Sequence, residues 1–248
     1  MSGHNRWSKI KHTKAASDAK KSKGWTKLLK EITVAAKSGG DPDGNPRLRT
    51  AIDKARAGNI PNDTIKRSVQ KGTGELAAES YEELVYEVYG PGGTAVVVEI
   101  LTDNRNRTAG EIRKLLEKNN GKLAASGSVL YNFHKRGHIV FEKAGVNEDA
   151  LMEAALEAGA DDVRSDGEVF LVVTEAGKMV DVRDALEKKG HKPAHAEVGM
   201  YPDSSVRLEG KDAEHMVKLV QQLEDHDDVQ NVYANYDIDD ALLEQLSA

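Results

Sequence analysis

An α+β fold is predicted: an N-terminal three-helix domain followed by two ferredoxin-like α/β domains, one of them discontinuous. Three observations carry the prediction. Apolar residues recur with helical spacing from Trp25 to Val69, and near Tyr81 the pattern becomes strand-like. Residues 138–201 give a complete β-α-β-β-α-β order, the split-βαβ arrangement. A last β-α-β unit over 205–236 is too small to bury its own sheet face. It is therefore expected to complete the sheet begun at 81–134, with 138–201 inserted between. The division that follows is a basic arm at 1–23, a helical domain at 24–78, a discontinuous α/β domain at 79–134 plus 203–240, an inserted ferredoxin-like domain at 135–202, and a C-terminal helical tail at 241–248.

The first 23 residues have little apolar periodicity and read as a mobile arm or a lysine-rich helix that firms up on binding. Trp25, Leu28, Leu29, Ile32 and Ala35 then recur at i, i+3, i+4, i+7, and Ser38-Gly39-Gly40 ends this helix. Asn45 is a predicted N-cap with Pro46 at the first helical position, leading a helix with Leu48, Ala51, Ile52 and Ala55 inward and Gly58 as its stop. A third helix spans about Asn62 to Lys71, with Ile65 and Val69 inward. Short connections make the three a small bundle. Leu84–Tyr89, the turn Gly90-Pro-Gly-Gly93 and Thr94–Leu101 read as a hairpin. Thr108 and Glu111 fit a capping box for the next helix, and Val129–Phe133 is expected as a strand.

In the inserted unit the strands centre on Ile139–Phe141, Asp162–Arg164, Val169–Val173 and Ala196–Met200, with helices over about Asn147–Ala158 and Gly177–Lys189. The closing unit reads Ser205–Leu208, Asp212–Leu223 and Val229–Tyr236. Leu156-Glu157 followed by Asp161-Asp162-Val163 is echoed by Leu223-Glu224 followed by Asp227-Asp228-Val229, each where a helix passes to a strand. The echo suggests two related α/β units.

Charge is the informative bulk property. The chain of 248 residues carries a net −6, yet residues 1–75 hold 17 Lys/Arg against 7 Asp/Glu and residues 76–248 hold 18 against 34. Such asymmetry points to a basic module for nucleic acid or another anionic surface, carried on an acidic body. The longest apolar run, Thr94–Leu101, is strand-sized and cannot span a bilayer. A secretory signal needs an apolar core where lysines continue here. The absence of Cys excludes disulfides, thiolate metal sites and a cysteine nucleophile. A cytoplasmic location is expected.

Motifs of catalysis fail on inspection. Asp41-Pro-Asp43-Gly-Asn45 starts like a calcium loop, but Pro46 and Ile52 stand where Gly and Glu are needed. Pro193 prevents the helix that would bring His191 and His195 to one face. Neither Gly72-Thr-Gly74 nor Gly90-Pro-Gly-Gly93 has the spacing of a phosphate-binding or dinucleotide loop. No enzymatic activity, cofactor, metal, membrane or small-molecule substrate is expected.

The candidate binding residues are cationic. Arg6, Lys9, Lys11, Lys14, Lys20, Lys21 and Lys23 stand in the arm. Lys27 and Lys30 follow on the first helix, and Arg47, Arg49, Lys54, Arg56, Lys66, Arg67 and Lys71 on the next two. Cations of this kind neutralise phosphates and release counterions. Trp7 and His12 can stack on unpaired bases, and Trp7 can equally pack back onto the bundle. Lysines outnumber arginines in the arm, which favours phosphate contact over reading of base edges. Between a strand and a helix start, Arg105 and Arg107 either hold an anion or pair with neighbouring acids, while Asp103 and Asn104 satisfy turn amides.

The fragments "GHNRWSKIKHTKAASDAKKSK", "LLKEITVAAKSGGDPDGNPRLRTAIDKARAGNIP", "GPGGTAVVVEILTDNRNRT" and "LEDHDDVQNVYAN" together resemble the YebC/PmpR family of transcriptional regulators. The resemblance runs from residue 3 to about residue 246. Gly3-His4-Asn5-Arg6-Trp7 stands where the family usually has G-H-S-K-W, with the positive charge kept. The resemblance implies a cytoplasmic bacterial protein of three domains without enzymatic activity. It also implies DNA as the partner, or, as in the mitochondrial relative that activates cytochrome oxidase synthesis, ribosomal or transfer RNA at the ribosome. No helix-turn-helix with base-reading Asn, Gln and Arg is evident, and a lysine-rich arm suits a structured RNA better than duplex DNA. A third reading is a protein-interaction adaptor in which the arm serves solubility or internal docking.

Overall fold

The computed structural model describes residues 18–77 and 79–247. It has a helical N-terminal region followed by α/β domains. Helix α1 (Asp18–Ala36) starts inside the segment read as an arm. Its apolar stripe packs on α2 (Pro46–Ala57) and α3 (Asn62–Thr73), with Ile32, Leu48, Ile52 and Ile65 buried between them. The predicted cap is present, since Asn45 accepts the Leu48 N–H at 3.1 Å and Pro46 opens α2. The Asn45 amide also donates to the carbonyls of Ala35 and Gly39, tying the end of α1 to the start of α2. Trp25 donates from its indole to the Gly58 carbonyl at 2.9 Å, closing the other end of α2. The loop before Asn45 is a turn held by Arg49, which donates to the carbonyls of Pro42 and Asp43.

Helices α1 and α3 meet at Gly72. A Cβ there would lie 2.3 Å from the Thr33 carbonyl oxygen and 2.5 Å from the Ala36 Cβ. Backbone on one side and a buried alanine on the other leave nothing flexible to yield. Gly72→Ala is therefore expected to lower stability by about 1–3 kcal/mol, read as a lower urea midpoint with an unchanged slope. A midpoint equal to wild type would refute this packing argument.

Strands β1 (Glu82–Tyr89) and β2 (Ala95–Thr102) form the expected hairpin, and the pair from Glu82 opposite Thr102 to Tyr89 opposite Ala95 is unbroken. Helix α4 (Arg105–Lys118) and the short β3 (Lys122–Leu123) follow. Ten-residue β4 (Phe133–Glu142) comes next, across the position where the sequence reading divides the two α/β domains. The rest of that unit is α5 (Glu148–Glu157), β5 (Asp162–Asp166), β6 (Val169–Glu175), α6 (Met179–Lys188) and β7 (His195–Pro202). The chain closes with β8 (Val206–Arg207), α7 (Gly210–Glu224), β9 (Val229–Ala234), β10 (Tyr236–Asp237) and α8 (Asp240–Ser247).

Two sheets result, ordered β3-β1-β2-β9 and β5-β6-β4-β7, all neighbours antiparallel. The second has the spatial order of a split-βαβ fold. The first has the same order and strand directions, but its α7–β9 pair arrives from the far end of the chain. With the strands matched by order and direction, α5–β5 and α7–β9 occupy equivalent places. These are the two segments that share the Leu-Glu and Asp-Asp-Val echo, so the echo marks corresponding helix-to-strand passages. Ile112 and Leu116 of α4 and Met216, Val220 and Leu223 of α7 cover one face of the first sheet. Leu151, Val182 and Leu186 cover one face of the second.

Three local readings are corrected. Helix α4 is capped by Asn104, whose side chain accepts the Arg107 N–H at 3.1 Å, rather than by Thr108. Thr108 sits one turn inside and is buried. Val129–Phe133 is not a strand, because residues 130–132 form a 3-10 turn and the strand begins at Phe133. Gly137 lets β4 continue where a side chain would meet Met179 and Thr174, both at 2.4 Å. The third correction concerns the closing unit. Strand β9 joins the first sheet, whereas β8 pairs only with β10, in parallel, as a separate ribbon. Asn235 makes the break, since its side chain accepts from Ala95 N at 2.7 Å and its carbonyl from Val206 N at 2.7 Å.

Candidate nucleic-acid interface

The sequence-predicted cations fall into three groups. Arg6, Trp7, Lys9, Lys11, His12 and Lys14 lie outside the described residues, and Lys20, Lys21 and Lys23 stand in the first turns of α1. A second group is engaged within the protein. Lys27 donates to the Glu224 carbonyl, and Lys30 bonds the Asp228 carboxylate at 2.8 Å and the Asp227 carbonyl at 3.1 Å. Arg47 reaches Glu31 at 2.9 Å and forks onto both carboxylate oxygens of Glu83. Arg49 holds its own loop, as described above. Helix α1 thus buries one stripe in the bundle and lays Lys27 and Lys30, one turn apart, against the turn between α7 and β9.

The third group faces water. Lys54, Lys66, Arg67 and Lys71 are exposed and, among the described residues, enter no ion pair. Arg56 makes only a long, exposed contact to Asp53 at 3.7 Å, of a kind worth little in water. These five are exposed cations on α2 and α3.

The anion-binding pair resolves differently. Arg107 donates to Asp103 and to Asp228, both at 2.8 Å, and is a structural cation of the chain. Arg105 is exposed at the opening of α4. Asp228, which sequence reasoning passed over, is the centre of the arrangement. Its side chain is 4% exposed and accepts from Lys30, Arg107 and Thr108, the last at 2.7 Å. Burial opposes its ionisation, but the bonds from Lys30, Arg107 and Thr108 outweigh burial and hold the carboxyl well below the usual carboxylate range. The signal for it in the sequence was the Asp-Asp-Val echo, which places an acid at a helix-to-strand passage.

Glu111, His226 and Asp228 bring ligand atoms within 4.8 Å of one another. The set does not suit a cation. His226 Nδ1 accepts the Asp228 N–H at 3.2 Å, which leaves the ring proton on Nε2 to donate to Glu111 at 3.0 Å. With both ring nitrogens used and Asp228 already facing Lys30 and Arg107, the donors are spent within the protein. The cleft beside them, about 710 Å³, has a lining of mixed charge that includes Lys30, Arg107, Lys114, Asp103, Glu111 and Asp227. Among the described residues, no helix is long and apolar enough to cross a membrane.

A second missed feature is the loop between β3 and β4. The Glu87 carboxylate, 6% exposed, accepts the backbone N–H groups of Gly127, Val129 and Leu130. Burial raises its proton affinity, but the amides of Val129, Gly127 and Leu130 lower it by more, for a net depression. Val129 and Phe133 turn inward against Val97 and Tyr233, which leaves Leu130 and Tyr131 outside.

Comparison with known proteins agrees with this organisation. Residues 5–75 match the family description "TACO1/YebC protein N-terminal domain", and residues 81–236 match "TACO1/YebC second and third domain". A protein of Geobacter sulfurreducens named a probable transcriptional regulatory protein is 57% identical over 247 residues, covering 99% of this chain and 100% of that one. Another of that name, from Geotalea uraniireducens, is 56% identical over the same length, with the same coverage of both chains. The crystal structure of a conserved hypothetical protein from Aquifex aeolicus superposes with a TM-score of 0.80 at 44% identity, covering 93% of this chain and 96% of that one. Two family matches in chain order, relatives of equal length and a shared three-dimensional arrangement have one meaning: the chain belongs to the TACO1/YebC family.

Proposed function

We propose that the protein is a non-enzymatic, cytoplasmic nucleic-acid-binding regulator of gene expression that meets DNA through its basic N-terminal module. The observation that carries this reading is the segregation of charge, with the exposed set Lys54, Arg56, Lys66, Arg67 and Lys71 on a bundle carried by an acidic body. Relatives named probable transcriptional regulatory proteins support it. One feature favours RNA as a second target. The exposed cations are mostly lysines, which act as point charges toward phosphate and do not read base edges in a fork.

The test replaces Lys54, Lys66, Arg67 and Lys71 together by alanine in the full chain. The salt dependence of binding to duplex DNA, as log K against log salt, is expected to become shallower by about three to four. An unchanged slope would sink the bundle surface as the contact. A companion deletion of residues 1–17 stops short of Asp18, where α1 begins, and reports the share of the arm. Crosslinking in cells followed by sequencing separates the targets: promoter fragments support transcription control, and ribosomal or transfer RNA supports a role in translation.

A further inference from the structure

The acidic body contains one basic stretch of sequence. Residues 118–141 include no Asp or Glu and carry Lys118, Lys122, Lys135 and Arg136, the longest acid-free run after residue 75. At its centre the 3-10 turn Leu130–Asn132 presents Tyr131 with 77% of its surface in solvent, well above the other exposed large hydrophobic side chains among the described residues.

The turn that carries this ring is anchored on every side. Glu87 grips three of its amides from beneath. Ser128 N–H donates to the Ala125 carbonyl at 3.1 Å and Asn132 N–H to the Val129 carbonyl at 3.1 Å. The Asn132 carbonyl accepts from Asp203 N at 2.9 Å, and its side chain meets Ser204 at 3.1 Å. Val129, 2% exposed, and Phe133, 4%, are seated in the core on either side of the exposed pair. An aromatic ring held out on such a turn loses little freedom when something stacks on it. Downstream, Lys135 and Arg136 are exposed on the first residues of β4, and the exposed His134 pairs with the Asp203 carboxylate at 2.6 Å. Lys135 enters no ion pair among the described residues, and Arg136 makes only a 3.7 Å contact to Asp161. A flat apolar face with a cation four residues away matches a nucleotide, which offers a π-face and a phosphate.

We propose that Tyr131 is a stacking platform for an unpaired base, with Lys135 on an adjoining phosphate, as a second contact outside the helical bundle. The proposal rests on the nucleic-acid reading above and narrows it to a target with unpaired nucleotides. A ring on a surface turn cannot reach a base within a stacked duplex, so the contact discriminates single strands and loops from continuous helix.

The test uses the full chain and twelve-residue single strands of RNA and of DNA carrying a central 2-aminopurine, alongside the duplex form of the DNA. Wild type and Tyr131→Phe are expected to quench the probe on single strands. Tyr131→Ala is expected to abolish the quench and weaken single-strand binding by about five- to a hundred-fold, with the duplex affinity and the salt slope unchanged. Lys135→Ala should instead flatten the single-strand slope by about 0.7. Quenching on RNA alone names RNA as the source of the base, whereas quenching on both strands makes the sugar irrelevant. Tyr131→Ala binding both single strands as wild type does would overturn this proposal and leave the bundle reading standing. A wild-type chain that binds no nucleic acid would overturn both. Because the ring is solvent-exposed, thermal melting of Tyr131→Ala should match wild type and keep any loss of binding interpretable.

Discussion

Replacing Asp228 by alanine is expected to cost about 3 kcal/mol of stability. The carboxylate is 4% exposed and its partner Lys30 12%, so removal strands a largely buried ammonium. It also leaves the buried hydroxyls of Thr102 and Thr108, which lie 3.3 and 2.7 Å from Asp228 Oδ2, without that acceptor. Arg107 is 43% exposed and recovers water, so its contact adds little. The loss should be local as well as global, because Asp228 receives Lys30 from the helical bundle. Amide exchange in α1 is expected to accelerate more than exchange in α5 or α6. Asp228→Asn keeps an acceptor for Thr108 and should cost less than alanine. A Lys30→Ala/Asp228→Ala double-mutant cycle in urea should return a coupling of about 1–3 kcal/mol. A loss below about 0.5 kcal/mol in Asp228→Ala would mean that the contact between the bundle and the first sheet is carried elsewhere. The latch also withstands mild acid. Its folded pKa lies below the ordinary 3.8, so the stabilisation is present above 3.8 and is lost only as pH falls further, through the depressed value.

What was legible in the sequence was local. The Asn45-Pro46 cap, the three-helix spacing and the hairpin at residues 82–102 each follow from neighbours a few positions apart. The capping box at Thr108 failed because two polar residues compete for one helix start. Asn104 stands a turn earlier and takes the amide, and Thr108 then pairs with a strand residue and with Asp228. Val129–Phe133 has strand composition, yet the amides that would form a ladder are held by a carboxylate forty residues back. Long-range partnership of this kind leaves no periodic trace.

The candidate surface divides the same way. Charge segregation singled out the bundle, and Lys54, Lys66, Arg67 and Lys71 are exposed as a binding surface requires. Lys27 and Lys30 carry the same charge on the same module, but their partners lie nearly two hundred residues downstream. Sequence alone could not separate cations that bind the chain itself from cations left for a ligand. Part of the +10 of residues 1–75 is therefore used to clamp the module onto its acidic support. Tyr131 was missed for a different reason. A tyrosine between valine and phenylalanine reads as core, and only the inward turn of both neighbours shows that it points away.

Glu87→Gln is expected to lower stability by about 2–3 kcal/mol and to loosen the turn that carries Tyr131. In wild type one carboxylate oxygen takes the Gly127 amide and the other takes Val129 at 2.7 Å and Leu130 at 2.8 Å. A glutamine has a single acceptor oxygen, so in either orientation its NH2 group faces at least one backbone donor in a buried site. The charge matters as much as the shape, since hydrogen bonds to an ionised acceptor are about twice as strong as neutral ones. The folded pKa of Glu87 is depressed from 4.5, so wild type has this stabilisation in full above 4.5 and loses it as pH falls through the lower folded value. Glu87→Gln cannot titrate there. The stability gap between the two proteins should consequently be constant near neutrality and narrow as the solution is acidified below 4.5. Amide exchange at Val129 and Leu130 should rise in the variant at neutral pH. Quenching of a single-stranded probe should weaken with it, although the Tyr131 ring itself is untouched. A gap that stays constant down to strong acid would show that the amides of the turn are satisfied without the charge. The rigidity of the Tyr131 platform would then have to come from Val129 and Phe133 alone.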